Sequence, residues 1–175
     1  MKKPLITMML LGMLLGICGQ SLAELGVINI RITANLVANT CSISLASRDQ
    51  TVNMGEWADK QFANNPTTVP RPFLITFENC DAGARGVKIT FNGSTAPADS
   101  SLLALSGAGA ARNVALAILD RNMRRLVPGR AGEIYGLRPV AQGQSIQFYG
   151  QYVATALPVV AGAANAEATF AVEYQ

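Results

Sequence analysis

The sequence predicts an all-β sandwich. Three observations carry that prediction. Short segments alternate apolar and polar side chains, turn-forming residues separate them at intervals, and no long amphipathic helical pattern intervenes. The most regular segment is residues 26–40. Ile28, Ile30, Ile32, Ala34 and Leu36 share one parity there, and Asn29, Arg31, Thr33 and Asn35 share the other. A strand sends alternate side chains to opposite faces, so this is a half-buried ribbon whose apolar face needs a cover. The cover is either its own domain or another chain.

The remaining elements follow in order. Residues 42–45 alternate, and 51–55 form a short strand ending at Gly55. Residues 56–65 are more polar, with Trp57 and Phe62 as core anchors under a loop or helical turn. Pro66, Pro70 and Pro72 interrupt the approach to a strand at 73–77, which runs into Cys80. Residues 87–91 alternate and end in Asn92-Gly93, a tight-turn signal. Residues 95–111 are small and polar, and read as a loop or weakly structured crossover. Residues 114–119 are continuously apolar, which fits a strand buried on both faces or a short buried helix. Flanking Asn113 and Asp120, among β neighbours, favour the strand. Residues 122–132 are basic and turn-rich, 145–153 read as a strand and 158–164 as a loop. The chain ends in alternation over 168–175, with Phe170, Val172 and Tyr174 on one face, so its terminus is expected to be part of the fold.

A chain of 175 residues suggests one domain. Its first residues describe a secretory signal: Lys2 and Lys3, an apolar run from Leu5 to about Ile17, then Ser21-Leu22-Ala23. The run is short for a membrane span, which needs roughly 20 residues. Cleavage is expected after Ala23. Lipid attachment at Cys18 is disfavoured, because Ile17 is not the small residue such processing wants. Removing Lys2 and Lys3 leaves twelve basic residues against eleven acids, a formal net charge of +1. Such a balance, without a basic stripe and interleaved aromatics, excludes general nucleic-acid binding. Cys41 and Cys80 are then the remaining cysteines. In an oxidising export compartment an even pair reads as one disulfide, with two free buried thiols as the competing reading.

Catalytic chemistry finds little support. The chain has no histidine, which removes the commonest general base and metal ligand. Serine triads and cysteine–histidine dyads in their usual forms are excluded. A carboxylate pair remains conceivable, but the acids are scattered singly and read as solvated surface charge. Residues 106–111 resemble a glycine-rich nucleotide loop only faintly. They lack a third glycine and a following amphipathic helix, so a flexible loop is the better reading. Arg121, Arg124, Arg125 and Arg130 form a modest basic cluster, read as a solvated turn. Asn92-Gly93-Ser94 matches a glycosylation acceptor, which the turn explains without modification. No metal, cofactor or small-molecule substrate is expected.

Several features at fixed places resemble the pilin subunits of chaperone–usher fimbriae, specifically the type 1 minor fimbrial subunits. They are the alternating extension ending in Asn39-Thr40-Cys41-Ser42-Ile43, the segment 51–55 with Trp57, and the second cysteine in Phe77-Glu78-Asn79-Cys80. Residues 114–120 and the tail from Gly162 to Gln175 complete the set. Within that tail the penultimate Tyr174 and Gly162, fourteenth from the end, are recurrent family marks. The resemblance implies an incomplete immunoglobulin-like domain lacking its last strand, residues 41–175, preceded by a donor-strand extension, residues 24–40. The implied donor residues are Ile28, Ile30, Ile32, Ala34 and Leu36. Glycine is usual in the family where Ala34 stands. The implied groove and chaperone-binding strand holds Gly162, Phe170, Val172, Tyr174 and Gln175, whose carboxylate a chaperone's basic residues would anchor. Cys41 and Cys80 match the family disulfide.

The implied function is structural and non-enzymatic: a link that polymerises by donor-strand exchange and contributes to bacterial adhesion. The implied partners are a periplasmic pilus chaperone, an outer-membrane usher and neighbouring fimbrial subunits, and the destination is the surface fimbrium of a Gram-negative bacterium. A minor tip-fibrillum or adaptor subunit is expected; a tip adhesin would need an additional lectin domain. The alternatives are a major rod pilin, a self-contained secreted immunoglobulin-like binding module whose own ribbon completes its sheet, and, remotely, a hydrolase using paired carboxylates.

Overall fold

The computed structural model describes residues 26–31, 41–138 and 143–175. The expected signal segment, residues 1–23, and the positions Ile32, Ala34 and Leu36 lie outside the described residues. In chain order the elements are β1 (Gly26–Arg31), β2 (Ser42–Ile43), α1 (Leu45–Arg48), β3 (Asp49–Gly55), α2 (Gln61–Asn64), β4 (Arg71–Glu78) and β5 (Gly86–Asn92). They continue with β6 (Thr95–Ala96), β7 (Asp99–Leu103), β8 (Val114–Leu119), β9 (Arg125–Leu126), β10 (Ala131–Gly136), β11 (Gln144–Ala154) and β12 (Ala166–Tyr174). Among the described residues no helix is long and apolar enough to cross a membrane.

Two sheets face each other. One has the order β10-β5-β12-β1-β3, the other β2-β4-β11-β8-β7-β6 with β9 beside β8. Aromatic rings join them. Phe91, Phe170 and Tyr135 come from the first sheet, Phe73 and Phe148 from the second, and all five are buried. Phe148 lies 5.8 Å from Phe73, 5.2 Å from Phe91 and 5.5 Å from Tyr135, and Phe170 lies 6.0 Å from Phe91. These spacings and the mostly edge-on angles suit the ring quadrupoles, so the cluster gains beyond its area burial.

β8 is the doubly buried strand its apolar run predicts. Leu116 and Ile118 belong to the main core, while Ala115, Ala117 and Leu119 pack with Ala96 and Leu102 in a second cluster. Residues 95–111, expected as loop, supply β6 and β7. Their small, polar composition carries little strand signal. The strands are held by tertiary partners, with Leu103 opposite Leu116.

Asn92-Gly93 is likewise not the hairpin its dipeptide suggests. β5 lies between β10 and β12, whereas β6, the next strand, lies in the other sheet. The chain crosses between sheets here. A Cβ on Gly93 would stand 2.7 Å from the Glu167 carbonyl oxygen and 2.7 Å from Leu103, so close approach of backbones is what requires glycine.

The alternation at 42–45 also stops early. Only Ser42–Ile43 pairs with β4, and α1 follows. The Ser44 hydroxyl donates to Ser47 Oγ at 2.9 Å, and Ser47 Oγ accepts the Thr76 amide at 2.9 Å. A side-chain hydroxyl thus serves a strand donor that a ladder would otherwise serve. The anchors behave as expected. Phe62 on α2 is buried, and the Trp57 indole N–H donates to the Met54 carbonyl at 2.7 Å.

Replacing Phe148 with alanine removes the centre of the aromatic cluster and is expected to cost about 3–5 kcal/mol. Gly93→Ala is expected to cost about 1–3 kcal/mol by overpacking. Gly136→Ala, with open space around its Cβ, should be nearly neutral. Urea denaturation midpoints for the three variants check the order.

Candidate strand-binding groove

β3 and β12 are not neighbours. A strand-wide slot separates them, and β1 occupies it. β1 runs parallel to β12, with Ile28 opposite Ala166 and Ile30 opposite Ala168. It runs antiparallel to β3, with Ile28 opposite Val52, Ile30 opposite Gln50 and Arg31 opposite Asp49. The residues on one parity of the two flanking strands form the floor. Val52 and Met54 from β3, and Ala166, Ala168 and Phe170 from β12, are buried in the main core. Val172 and Tyr174 are half-buried and pack against it.

One end of the groove is tied by hydrogen bonds and a disulfide. Cys41 and Cys80 are bonded, as expected of the pair that remains beyond the signal segment. The Tyr174 hydroxyl donates to the Cys41 carbonyl at 2.7 Å, which fastens the C-terminal end of β12 to the start of the sandwich. Gln175 is held too. Its amide donates to the Gly86 carbonyl at 2.8 Å, and its carbonyl oxygen accepts the Arg85 amide at 3.3 Å.

The other end opens into a cavity of about 320 Å³, lined by Gly55, Trp57, Phe62, Tyr152, Val159 and Gly162, among others. Gly162, expected in the groove strand, lies in the loop before β12. Its Cβ would fall 2.4 Å from the Gly109 carbonyl oxygen and 2.7 Å from the Ala111 amide nitrogen. It is glycine because two loops touch there. The sequence reading missed the alanines of the floor, although Ala166 and Ala168 continue the parity of Phe170, Val172 and Tyr174. Val52 and Met54 carried the same signal on β3.

The floor of the groove is apolar, and a phenol stands near each end of it. Burial pushes the Tyr152 phenol up to about 12, and its hydroxyl donates to the Ala164 carbonyl. Burial also raises Tyr174, opposed by its bond to Cys41. Burial raises Tyr135 to about 12, reinforced by Asp120 and Glu133. The basic cluster lies elsewhere. Arg125 meets Asp99 at 3.1 Å, and Arg121 meets Glu133 at 3.5 Å and the Tyr135 ring. Among the described residues no three His, Cys, Asp or Glu side chains could hold a metal. What this arrangement can do is hold an extended backbone, as it holds β1: a ladder of main-chain bonds on each side, above an apolar floor.

A sandwich of this kind, with a strand slot between two of its own edges, defines an immunoglobulin-like module of the strand-complemented class. A family model described as fimbrial protein matches residues 28–175. The chain is 35% identical over 156 residues to the fimbrial-like protein FimF of Salmonella typhimurium, spanning 89% of this chain and 88% of that protein. It is 32% identical over 150 residues to the S-fimbrial protein subunit SfaG of Escherichia coli, spanning 83% and 82%. A solved type I fimbria protein and antigen of Burkholderia pseudomallei superposes with a TM-score of 0.61 at 28% identity, covering 86% of this chain and 99% of that one. The P pilus rod subunit PapA shares the fold, with a TM-score of 0.66 at 24% identity over 77% and 99%. The chain belongs to the fimbrial protein family and is a structural pilus subunit.

The phenols make stability depend on alkaline pH. A tyrosine whose folded pKa is about 12 and whose ordinary value is 10.0 stabilises the fold below pH 10, and that contribution is lost as pH rises toward 12. Tyr152→Phe should lower stability near neutrality by about 1 kcal/mol through its lost hydrogen bond. It should also flatten the decline above pH 10. Urea denaturation on both sides of that pH measures both effects.

Proposed function

We propose that this chain is a link subunit of a chaperone–usher fimbria, donor at its N-terminus and acceptor at its body. In this reading Ile28, Ile30, Ile32, Ala34 and Leu36 enter a neighbour's groove. The slot between β3 and β12 takes the corresponding ribbon of the next subunit. The observation that supports it most is that slot: the first sheet reaches from β12 to β3 only through a ribbon that precedes the sandwich in sequence. Burying each large donor side chain contributes roughly 1.5–3 kcal/mol, to which a double ladder adds. A periplasmic chaperone would cover the groove first, with the Gln175 carboxylate as an anchor, and an outer-membrane usher would direct the exchange. Residues 1–23 would direct export and be removed. Within the fibre we place it at a minor tip or adaptor position, with a rod position as the alternative. The work of such a subunit is mechanical, without catalysis.

A second reading has its own support. β1 sits in the sheet of its own chain, as in a self-contained secreted module. Two measurements separate the readings. A chain lacking residues 24–40, produced with a pilus chaperone, should take up a synthetic peptide of residues 26–40. Full-length chain released from the chaperone should polymerise with time. A truncated chain that folds but refuses the peptide, together with full-length chain that never polymerises, would sink the link reading.

Ala34 offers a finer check. Ala34→Leu should block assembly into the polymer and leave the chaperone complex intact, as judged by co-purification. Loss of the chaperone complex instead would mean the ribbon serves its own fold.

A further inference from the structure

β3 is one wall of the slot, and its placement is decided by the stretch before it. It is the end strand of its sheet, with β1 as its ladder neighbour. β2, by contrast, pairs with β4 in the second sheet. α1 is the whole crossover between the two sheets, four residues that end where β3 begins. Local alternation does not call for this turn. Continued as a strand in the register of β2, residue 44 would stand opposite Thr76 and residue 46 opposite Leu74. The first of these pairings is begun: the Ser44 amide donates to the Thr76 carbonyl at 2.9 Å. The second is replaced by α1.

Side chains take over where that ladder stops. Ser47 is 3% exposed. Its oxygen accepts the Thr76 amide at 2.9 Å and the Ser44 hydroxyl at 2.9 Å, and its own hydroxyl donates to the Leu74 carbonyl at 3.5 Å. A hydroxyl offers one donor and two acceptor lone pairs, so Ser47 is fully used. The Gln50 side-chain amide, from β3 itself, donates to the same Leu74 carbonyl at 3.2 Å. Arg48 Nε donates back to the Ile43 carbonyl at 2.9 Å, which closes the turn on the end of β2. Pro72, the next residue of that parity on β4, has no amide for a ladder. The bonds that would reward a longer β2 are thus made by α1 and by β3.

We propose that Ser47 is a positioning residue for the slot: its hydroxyl stands in for a continued β2 on β4, and so sends the chain into the first sheet, where β3 becomes the wall facing β12. The inference rests on the link reading only for what the slot is used for; the tie itself lies within one domain. Ser47 and Gln50 fasten the N-terminal end of β3 to β4. The Trp57 indole fastens the other end through the Met54 carbonyl. Between them Val52 and Met54 are buried in the core. Without the Ser47 hydroxyl the Thr76 amide loses its partner, and the arrangement that restores one, a longer β2, gains at the expense of the wall.

Hydrogen exchange of the full-length chain, followed strand by strand by mass spectrometry, tests this. In Ser47→Ala the amides of residues 49–55 should exchange about tenfold faster, as loss of one buried bonded group implies. Those of β8 should keep their native rates. Ser47→Thr keeps the hydroxyl, and Ser47→Val has the same shape without it, so residues 49–55 should exchange faster in the valine variant than in the threonine variant. Unchanged exchange over 49–55 in Ser47→Ala, or equal rates in the threonine and valine variants, overturns the proposal. So does a rise of the same size in β8, which would make Ser47 a general stabiliser. Should Ser47→Ala not fold, Gln50→Ala removes the second tie to Leu74 from the exposed side. A rise confined to 49–55 then upholds the proposal, and no rise overturns it. The link reading fails separately, by a chain that never polymerises, which this measurement does not involve.

Discussion

The structure depends on the facing backbone edges of β3 and β12. Each strand presents amide and carbonyl groups toward the slot between them, and an unpaired buried polar backbone group costs about as much as a lost hydrogen bond. One extended segment placed there completes two ladders at once. β1 does so in this chain, pairing with β3 on one side and β12 on the other. The slot is also the roof of the core. Val52, Met54, Ala166, Ala168 and Phe170 are buried beneath it, so an empty slot would expose apolar surface together with strand edges.

The rest of the sandwich holds the two edges at a fixed separation. Phe170 is at once a floor residue and a member of the aromatic cluster, through its contact with Phe91. Strain in the groove is therefore felt in the centre of the domain. At one end the disulfide, Tyr174 and the pinned Gln175 fix the strand against β5 and the sandwich start. At the other, the packing of Gly162 on residues 109–111 shapes the mouth of the cavity. Close glycine contacts and hydrogen-bonded phenols shape both ends.

The strongest strands were legible because their signals are local. The run at 114–119, the alternation at 145–153 and the terminal alternation each appear as strands within a residue or two of the expected bounds. The disulfide was legible from cysteine number once export was inferred. The failures have a common cause. Asn92-Gly93 carries the local signature of a hairpin, yet glycine serves a contact with a strand more than seventy residues away. β7 has almost no local signal and exists because β8 lies beside it. Gly162 falls in the loop expected at 158–164 and not in the strand with which the resemblance grouped it; the close approach of two loops that requires glycine there leaves no pattern along the chain.

Alternation by itself predicted a ribbon with one apolar face over residues 28–36, since side-chain direction in a strand is set by the backbone of that segment, and its described part, Gly26–Arg31, is a strand. It also determined that the chain's end is a strand with Phe170, Val172 and Tyr174 on one side. Which surfaces those faces meet was decided by tertiary structure alone. The slot arises because β3 and β12, more than a hundred residues apart, are brought close without touching. The parallel sense of β1 beside β12 is likewise a pairing between segments more than a hundred residues apart. Both are distances between remote parts of the chain, and periodicity along a segment carries no information about them.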